Sequence, residues 1–510
     1  MLASTVPGNP APGNRAKEAH AKKHKPLGRL LLLTVGALLV QGYHPWAEDA
    51  EIYIPGVEKI LHPQLFPAWS EFFQSHAHLT FFPNLIAFSV RLTHLPLTVM
   101  LFVWQVASIF LLLLACWELN SLFFPTARAR WGGVCLVAAL LTIPVAGTAL
   151  YIMDQYLNPR NLAAFASVFV VVRMLESKYT RAFLWLVFTA LVHPLMWVFP
   201  LSFCILLFMM GRFESHWKKT SVVALALLVF PTIPLAPLPS DAYQAVAKVH
   251  GYFYVQNWAW YELLGIVAPV ALFWWFARRA RQQGWFVLER VSRALVVYDL
   301  VFLASAIIVD LPARLEVLAR LQPLRCLHLL YIVLFVVTGG FAGEYILRGR
   351  IWRWLLLFVP LGSGMFLAQR SLFPASAHIE LPGREPKNPW AQAFVWIRKN
   401  TPTDALFALD PEYMHATGED EIGFRCLAER SRLADWVKDN GVVSMFPTLA
   451  GEWWRQVQAQ TPWKSFDLED MLRLKNQYGV SWVVLQQPGI VGLDCAFQNT
   501  SVRVCQIPDK

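Results

Sequence analysis

Two adjacent acids, Glu48 and Asp49, follow the first long apolar segment of the chain, and Glu51 comes shortly after them. The apolar segment covers residues 28–46, and the basic residues before it predict that it begins on the cytoplasmic side of a membrane. The acids are then expected at the outer membrane boundary. Carboxylates there can take a proton from an acceptor hydroxyl or hold a divalent metal. The alternative is that they are solvated and cap an interfacial helix over 48–60.

A second group of polar residues comes much later, where Asp154 precedes the sequence Asn158-Pro159-Arg160-Asn161. This turn is predicted to open a membrane segment on the outside. An arginine at a helix N-terminus can hold a phosphate through its fork of donors and the free backbone N–H groups. The alternatives for Arg160 are snorkelling to the headgroup level or a salt bridge to Asp154.

Arg325 lies in Leu321-Gln322-Pro323-Leu324-Arg325-Cys326-Leu327-His328, which is predicted to open a late membrane segment from the outside. A positive charge there runs against the inside bias of basic residues, so a local partner must favour it. One partner would be an acid of the first outer loop.

Several histidines, including His193 and the pair His76-Ala77-His78, are also predicted on the outer side. A His-X-His pair on a strand can ligate metal, but no third ligand follows at a recognisable spacing. A structural role is therefore favoured for the pair, and no metal-binding residues are assigned.

Composition indicates a polytopic membrane protein, because 56% of the 510 residues are hydrophobic and only 15% are charged. The net charge of +10 belongs to loops that flank apolar runs, whereas roughly half of the 34 acids fall in residues 371–510. Nucleic acid is therefore not an expected partner. The chain also has no Walker, GxGxxG, GxSxG or HExxH motif.

Apolar runs predict about eleven membrane segments, the first over 28–46 and followed by an outer loop over about 44–96. The others are predicted near 97–119, 131–150, 161–175, 182–193, 195–211, 221–238, 261–277, 294–310, 328–346 and 351–369. Basic loops on both sides of 182–211 require a hairpin or a re-entrant pair there. His193-Pro194 is its predicted outer turn, because proline disfavours helix at the residue before it.

The ends of the chain differ from the apolar middle. Residues 1–27 are predicted to be a disordered, basic cytoplasmic tail. Residues 371–510 are predicted to be an extracytoplasmic α/β domain, with strands over 405–409, 480–485 and 502–507, and with a helix from Asp467 to Tyr478 that is followed by Gly479. Cys495 and Cys505 flank a predicted hairpin and could form a disulfide in an oxidising compartment.

The exit acids, the paired short segments and the α/β tail together resemble the GT-C class of lipid-dependent glycosyltransferases, and most closely uncharacterised bacterial multi-pass families of that class. The resemblance implies a mainly α membrane bundle over residues 28–370 in the bacterial inner membrane, with a small α/β domain. It implies a polyprenyl-phosphate-linked sugar donor used on the extracytoplasmic side, and leaves a divalent metal as an open possibility. The site residues that it implies are Asp49 as catalytic base, Glu48 assisting it, and Glu51, Asp154, Arg160, His193 and Arg325 in substrate binding.

A non-catalytic membrane protein is the alternative, either a transporter or a cell-envelope scaffold. A transporter is the less favoured of the two. Ionisable groups coupled to transport are expected near the membrane midplane, where the predicted segments carry few polar residues besides Gln105 and Asp299.

Overall fold

The computed structural model describes residues 26–212, 240–310, 319–416 and 418–509, and it is mainly helical before residue 401. The predictions for the N-terminal tail over residues 1–25 and for the segment 221–238 lie outside the described residues. The helices of the first part are α1 (Leu27–Gln41), α2 (Ala50–Leu61), α3 (Glu71–Leu79), α4 (Phe82–Thr93), α5 (Leu97–Phe123), α6 (Ala127–Ala139), α7 (Pro159–Leu175), α8 (Tyr179–Val192), α9 (Pro194–Arg212), α10 (Asp241–Val249), α11 (Trp260–Gln282), α12 (Phe286–Asp310), α13 (Cys326–Phe341) and α14 (Ile351–Leu372).

Five stretches of helix in the described residues are long and apolar enough to cross a membrane. They are Leu97–Phe123, Trp260–Gln282, Phe286–Ile308, Pro323–Leu347 and Ile351–Leu372. The helices α1, α8 and α9 are apolar but shorter. The chain is therefore a membrane-protein candidate by length and composition, and the number of eleven segments stays a prediction.

The segment predicted over 131–150 is wrong in its second half. Helix α6 ends at Ala139, and the chain then turns through Pro144 and Gly147 to reach α7. A Cβ at Gly147 would lie 2.5 Å from the Trp258 ring, so the loop packs too closely there for a larger residue. This loop brings Asp154 to the start of α7. By contrast, the predicted break at His193-Pro194 is confirmed, since α8 ends at Val192 and α9 begins at Pro194.

The remaining elements form the predicted α/β domain. They are α15 (Pro389–Asn400), β1 (Leu406–Leu409), α16 (Arg425–Ala428), β2 (Ser431–Arg432), α17 (Lys438–Met445), α18 (Ala450–Ala459), α19 (Leu468–Tyr478), β3 (Trp482–Gln486), β4 (Asp494–Gln498) and β5 (Val502–Gln506). The strands lie in the order β2-β1-β3-β5-β4. Strands β2, β1 and β3 are parallel, and β5 is antiparallel to both of its neighbours, β3 and β4. Apolar clusters on both faces pack α15 and α19 against the sheet.

The disulfide prediction is confirmed, because Cys495 and Cys505 are bonded across neighbouring strands with their Cα atoms 3.8 Å apart. The helix signals of this domain are also confirmed. Asp467 caps the start of α19 by accepting a hydrogen bond from the Asp470 backbone N–H, and Gly479 ends it in the left-handed conformation.

The segment between α1 and α2 joins the α/β domain to the helical bundle through backbone hydrogen bonds. The Tyr43 N–H donates to the His378 carbonyl (2.9 Å), the Glu48 N–H to the Glu421 carbonyl (2.9 Å), and the Gly423 N–H to the Trp46 carbonyl (2.7 Å). The residues that precede α2 are therefore held from both sides. This fixes the direction in which the first acids point.

Candidate functional site

The acids at the start of α2 are separated by helical geometry. Glu48 has a φ of 58°, a left-handed conformation that costs a non-glycine residue energy and is held by its backbone bond to Glu421. Asp49 precedes α2 but makes no side-chain hydrogen bond to the helix N-terminus. The interpretation of these acids as solvated caps of an interfacial helix is thus wrong, since α2 is buried over Ala50–Glu58.

Asp49 is instead bound by cations from two other parts of the chain. Its Oδ2 accepts a hydrogen bond from Arg160 Nη1 at 2.9 Å, and its Oδ1 lies 3.5 Å from Lys438 Nζ. Burial disfavours the charged carboxylate, but the positive charges of Lys438, Arg160 and Arg325 outweigh this and lower the pKa of Asp49. Asp49 is therefore ionised at neutral pH and is a weak proton acceptor.

Arg160 links two loops at the N-terminus of α7. Asn158 caps this helix, its Oδ1 accepting hydrogen bonds from the N–H groups of Arg160 (2.9 Å) and Asn161 (3.2 Å). The Arg160 guanidinium donates through Nε (3.2 Å) and Nη2 (3.1 Å) to Asp154 Oδ2, in addition to its bond with Asp49. The predicted salt bridge between Arg160 and Asp154 is confirmed, and the same guanidinium holds Asp49 in place.

Two adjoining cavities meet at these charges. The first has a volume of about 170 Å³ and the second about 300 Å³, and Asp49, Arg160 and Arg325 line both. Glu48 and Asp154 line the second cavity, whereas His193 lines the first. Six of the seven predicted site residues thus converge from four separate parts of the chain.

Arg325 is the cation of this group that has no carboxylate partner among the described residues. No described acid lies within ion-pair distance of its guanidinium, and its Nε is buried without a hydrogen-bond acceptor in the described part of the chain. The prediction that Arg325 pairs with an acid of the first outer loop is therefore wrong for residues 44–96. A half-buried guanidinium that lines a cavity with free donors is suited to binding an anion.

His193 faces the first cavity from the break between α8 and α9, where its Nδ1 lies 3.4 Å from the Met196 backbone N–H. His76 lines the same cavity from α3, and its Nδ1 is buried without a partner among the described residues. His78 is exposed on the helix. A helix turns 100° per residue, so the two histidines of the pair point apart instead of sharing one ligand.

Glu51 is the predicted site residue that the structure places elsewhere. It lies two positions after Asp49, on the opposite side of α2, and its carboxylate is fully buried. Its Oε2 accepts a hydrogen bond from the Arg425 backbone N–H (2.7 Å), and its Oε1 lies 3.3 Å from Arg425 Nη1 and 3.7 Å from Arg432 Nη1. Glu51 therefore contacts the α/β domain and lines neither cavity.

The α/β domain also supplies site residues that the sequence did not indicate. Helix α17 forms a wall of both cavities through Gly441, and its first residue, Lys438, lines the second. Tyr252 lines both cavities from the loop after α10. A lysine at the start of a short helix gives no local signal, because two of its partners, Glu48 and Asp49, lie almost 400 positions earlier in the sequence.

The acids at positions 419–421 of the α/β domain are partly enclosed. Asp420 is buried and accepts hydrogen bonds from the Ala375 backbone N–H (3.3 Å) and the Asn388 side chain (3.4 Å). Glu421 Oε2 lies 3.7 Å from Lys438 Nζ. Burial and the charge of Glu48 raise the pKa of Glu421 to about 7. Its carboxylate is thus a better proton acceptor near neutral pH than that of Asp49.

The donor set does not fit a divalent metal. Glu48, Asp49 and Glu421 face the ammonium of Lys438, while Asp154 faces the guanidinium of Arg160. Over residues 26–212, 240–310, 319–416 and 418–509, no group of three His, Cys, Asp or Glu side chains is placed to hold one metal ion. The charges of these acids are instead met by basic side chains of the chain itself.

Comparisons with known proteins give similarity only at the level of structure. No protein-family model and no curated protein sequence matches the chain. An oligosaccharyltransferase of Archaeoglobus fulgidus, solved in the apo form, aligns with 92% of this chain and 70% of its own at 12% identity, with a TM-score of 0.47. The archaeal oligosaccharyltransferase AglB of the same organism, solved with an inhibitory peptide and a dolichol-phosphate, aligns with 91% of this chain and 70% of its own at 10% identity, with a TM-score of 0.38.

Proposed function

We propose that the chain is a membrane glycosyltransferase that takes its sugar from a polyprenyl-phosphate-linked donor on the extracytoplasmic side. The observation that carries this proposal is the arrangement of Asp49 and Arg325 around the same two cavities. One of these side chains is an ionised carboxylate held by two cations, and the other is a guanidinium without a carboxylate partner among the described residues.

Arg325 is the proposed binding residue for the donor phosphate. When the sugar leaves, the bond between its anomeric carbon and the phosphate oxygen breaks, and the phosphate keeps the electron pair. A guanidinium beside that oxygen stabilises the developing negative charge. His193 and Tyr252 line the same cavity as Arg325 and would contact the donor next to the phosphate.

The acids act on the acceptor, whose hydroxyl oxygen forms the new bond to the anomeric carbon. Asp49 remains ionised, so its role is to accept a hydrogen bond from this hydroxyl and orient it. The proton passes to the carboxylate pair of Glu48 and Glu421, which share Lys438 and of which Glu48 lines the second cavity. This assignment exchanges the roles predicted from the sequence, in which Asp49 was the base and Glu48 assisted it.

The test is lipid binding by the purified full chain in nanodiscs that contain polyprenyl phosphate, measured by native mass spectrometry. Arg325→Ala removes the unpaired guanidinium, and Arg320→Ala removes a neighbouring arginine that lines neither cavity. We expect Arg325→Ala to weaken lipid binding about 10- to 100-fold, the effect of losing a charged hydrogen bond of about 1.5–3 kcal/mol. Arg320→Ala should bind as the unmodified protein does.

Equal lipid binding by all three proteins would contradict the phosphate role of Arg325. The alternative of a non-catalytic membrane protein, either a transporter or a cell-envelope scaffold, would then be favoured. Loss of lipid binding in both variants would indicate a general effect of positive charge on this part of the protein, and would likewise contradict a specific phosphate site.

A further inference from the structure

Lys438 is a buried ammonium at the centre of the acidic side of the second cavity. Lys438 is the first residue of α17, and its side chain is 9% exposed. The Nζ atom hydrogen-bonds to Glu48 Oε2 and lies 3.5 Å from Asp49 Oδ1 and 3.7 Å from Glu421 Oε2. Three carboxylates from two parts of the chain thus surround one positive charge.

Taking a lysine out of water is costly, and the cost is offset only when carboxylates surround the ammonium closely. The two acids at the start of α2 have the same requirement, since each would be destabilised by the other without a cation between them. Arg160 cannot supply this charge for Glu48, because its guanidinium is bonded to Asp49 and Asp154.

We propose that Lys438 is the resident cation of this carboxylate group, occupying with its ammonium the place at which a divalent metal would otherwise balance the acids. The α/β domain then completes the cavity with a charge as well as a wall. Lys438 is a positioning residue, since it orients Glu48 and Asp49 and is not assigned contact with substrate. The charge balance and the stability of this group can be measured independently of sugar transfer.

The first experiment is a titration of the full-length protein with Mn²⁺, followed by electron paramagnetic resonance. We expect no bound Mn²⁺ that depends on the acids, so the unmodified protein, Glu48→Gln and Asp49→Asn should give the same titration curve. One equivalent of bound Mn²⁺ that is lost in either variant would overturn the proposal. This experiment needs no change to Lys438 and decides the matter even if variants of that residue fail to fold.

The second experiment compares thermal unfolding of Lys438→Met with that of Lys464→Met, a control at an exposed lysine of the same domain. Methionine keeps most of the length of the side chain but not its charge. We expect a lower unfolding temperature for Lys438→Met alone, and partial recovery when Glu48→Gln is added, because the second change removes one of the uncompensated carboxylates. An unchanged unfolding temperature for Lys438→Met would contradict the role of Lys438 as the cation of this group. A further fall in the unfolding temperature when Glu48→Gln is added would contradict it as well.

Discussion

The two sides of α2 carry two charge clusters that look alike in composition but differ in surroundings. On one side, Glu48 and Asp49 have side chains that are 34% and 24% exposed and face cavities. On the other, Glu51 is fully buried against Arg425 and Arg432. The first cluster has room beside it for a ligand, whereas the second is filled by the side chains that it contacts.

The buried cluster also contains two further acids of the α/β domain, Asp439 and Asp435, which pair with the same two arginines. Arg425 donates through both terminal nitrogens to Asp439, at 2.9 and 2.8 Å, and Arg432 Nη1 lies 3.6 Å from Asp435 Oδ2. Three carboxylates thus share two guanidinium groups, which leaves one negative charge in excess. Acids adjacent in sequence thus divide between lining a cavity and docking a domain, and the helical turn between Asp49 and Glu51 decides which side chain does which.

The largest effect is expected from Arg425→Met, which leaves Glu51 and Asp439 buried without their shared cation. Breaking one partner of a buried ion pair typically costs about 3–5 kcal/mol, so we expect the free energy of unfolding to fall by about that amount. Thermal unfolding and protease sensitivity of the α/β domain measure it. Arg398→Met is the control, since Arg398 pairs with Glu429 at 3.3 Å in a partly exposed position. A fall of less than 1 kcal/mol in the free energy of unfolding of Arg425→Met would contradict the structural role of the buried cluster.

Asp49→Asn is expected to separate activity from stability. The change keeps the size of the side chain and removes the charge that we propose orients the acceptor, so we expect the rate of sugar transfer to fall by about 10²-fold or more. The free energy of unfolding should fall less than in Arg425→Met, because Asp49 is partly exposed and its two cations keep Asp154 and Glu48 as partners. Glu71→Gln, at an exposed acid of α3, is the matched control and should be silent in both assays. A variant that loses stability as well as activity would place Asp49 with the buried cluster.

The effect of pH is the most gradual of the three, because it is spread over several pH units. Burial raises the pKa of Glu51 to about 7 despite its two arginine neighbours, and burial raises the pKa of Asp439 as well. The folded state therefore keeps a proton that the unfolded chain releases above its ordinary pKa of about 4.3. The contribution of Glu51 to the free energy of unfolding is fully present below that pKa. It is lost as the pH rises towards 7, by about 1.4 kcal/mol per pH unit.

The measurement is the unfolding temperature of the unmodified protein and of Glu51→Gln between pH 4.5 and 8. The unfolding temperature of Glu51→Gln should fall less with rising pH than that of the unmodified protein. The fall that remains in this variant comes from Asp439 and other titrating groups. Parallel curves would show that Glu51 does not hold the excess proton of the buried cluster.

The sequence predicted those parts of the molecule whose signals are local. Asp467 and Gly479 marked the ends of α19, and His193-Pro194 marked the break between two helices. Arg325 was noticed because a positive charge on the predicted outer side is unusual. The grouping of Asp49, Arg160 and Arg325 followed from placing all three at the same membrane boundary, and the structure brings them to the same cavities.

The parts that were not predicted depend on contacts between distant residues or on the direction in which a helix points each side chain. Glu51 was grouped with its neighbours because sequence distance does not show which way a helix turns its side chains. Lys438 was not recognised because its partner Glu48 lies 390 positions earlier. The second half of the segment 131–150 was misassigned because its apolar residues fill a folded loop, which hydropathy alone does not distinguish from a membrane helix.

The position of Lys438 has a consequence for the way the protein is made. A ribosome synthesises Glu48 and Asp49 early and Lys438 only 390 residues after Glu48. At a synthesis rate of roughly 5–20 residues per second, the two acids therefore wait for about 20–80 seconds without this countercharge. During that time the second cavity lacks the wall formed by Lys438 and Gly441, so it is complete only after the last domain has folded onto the helical bundle.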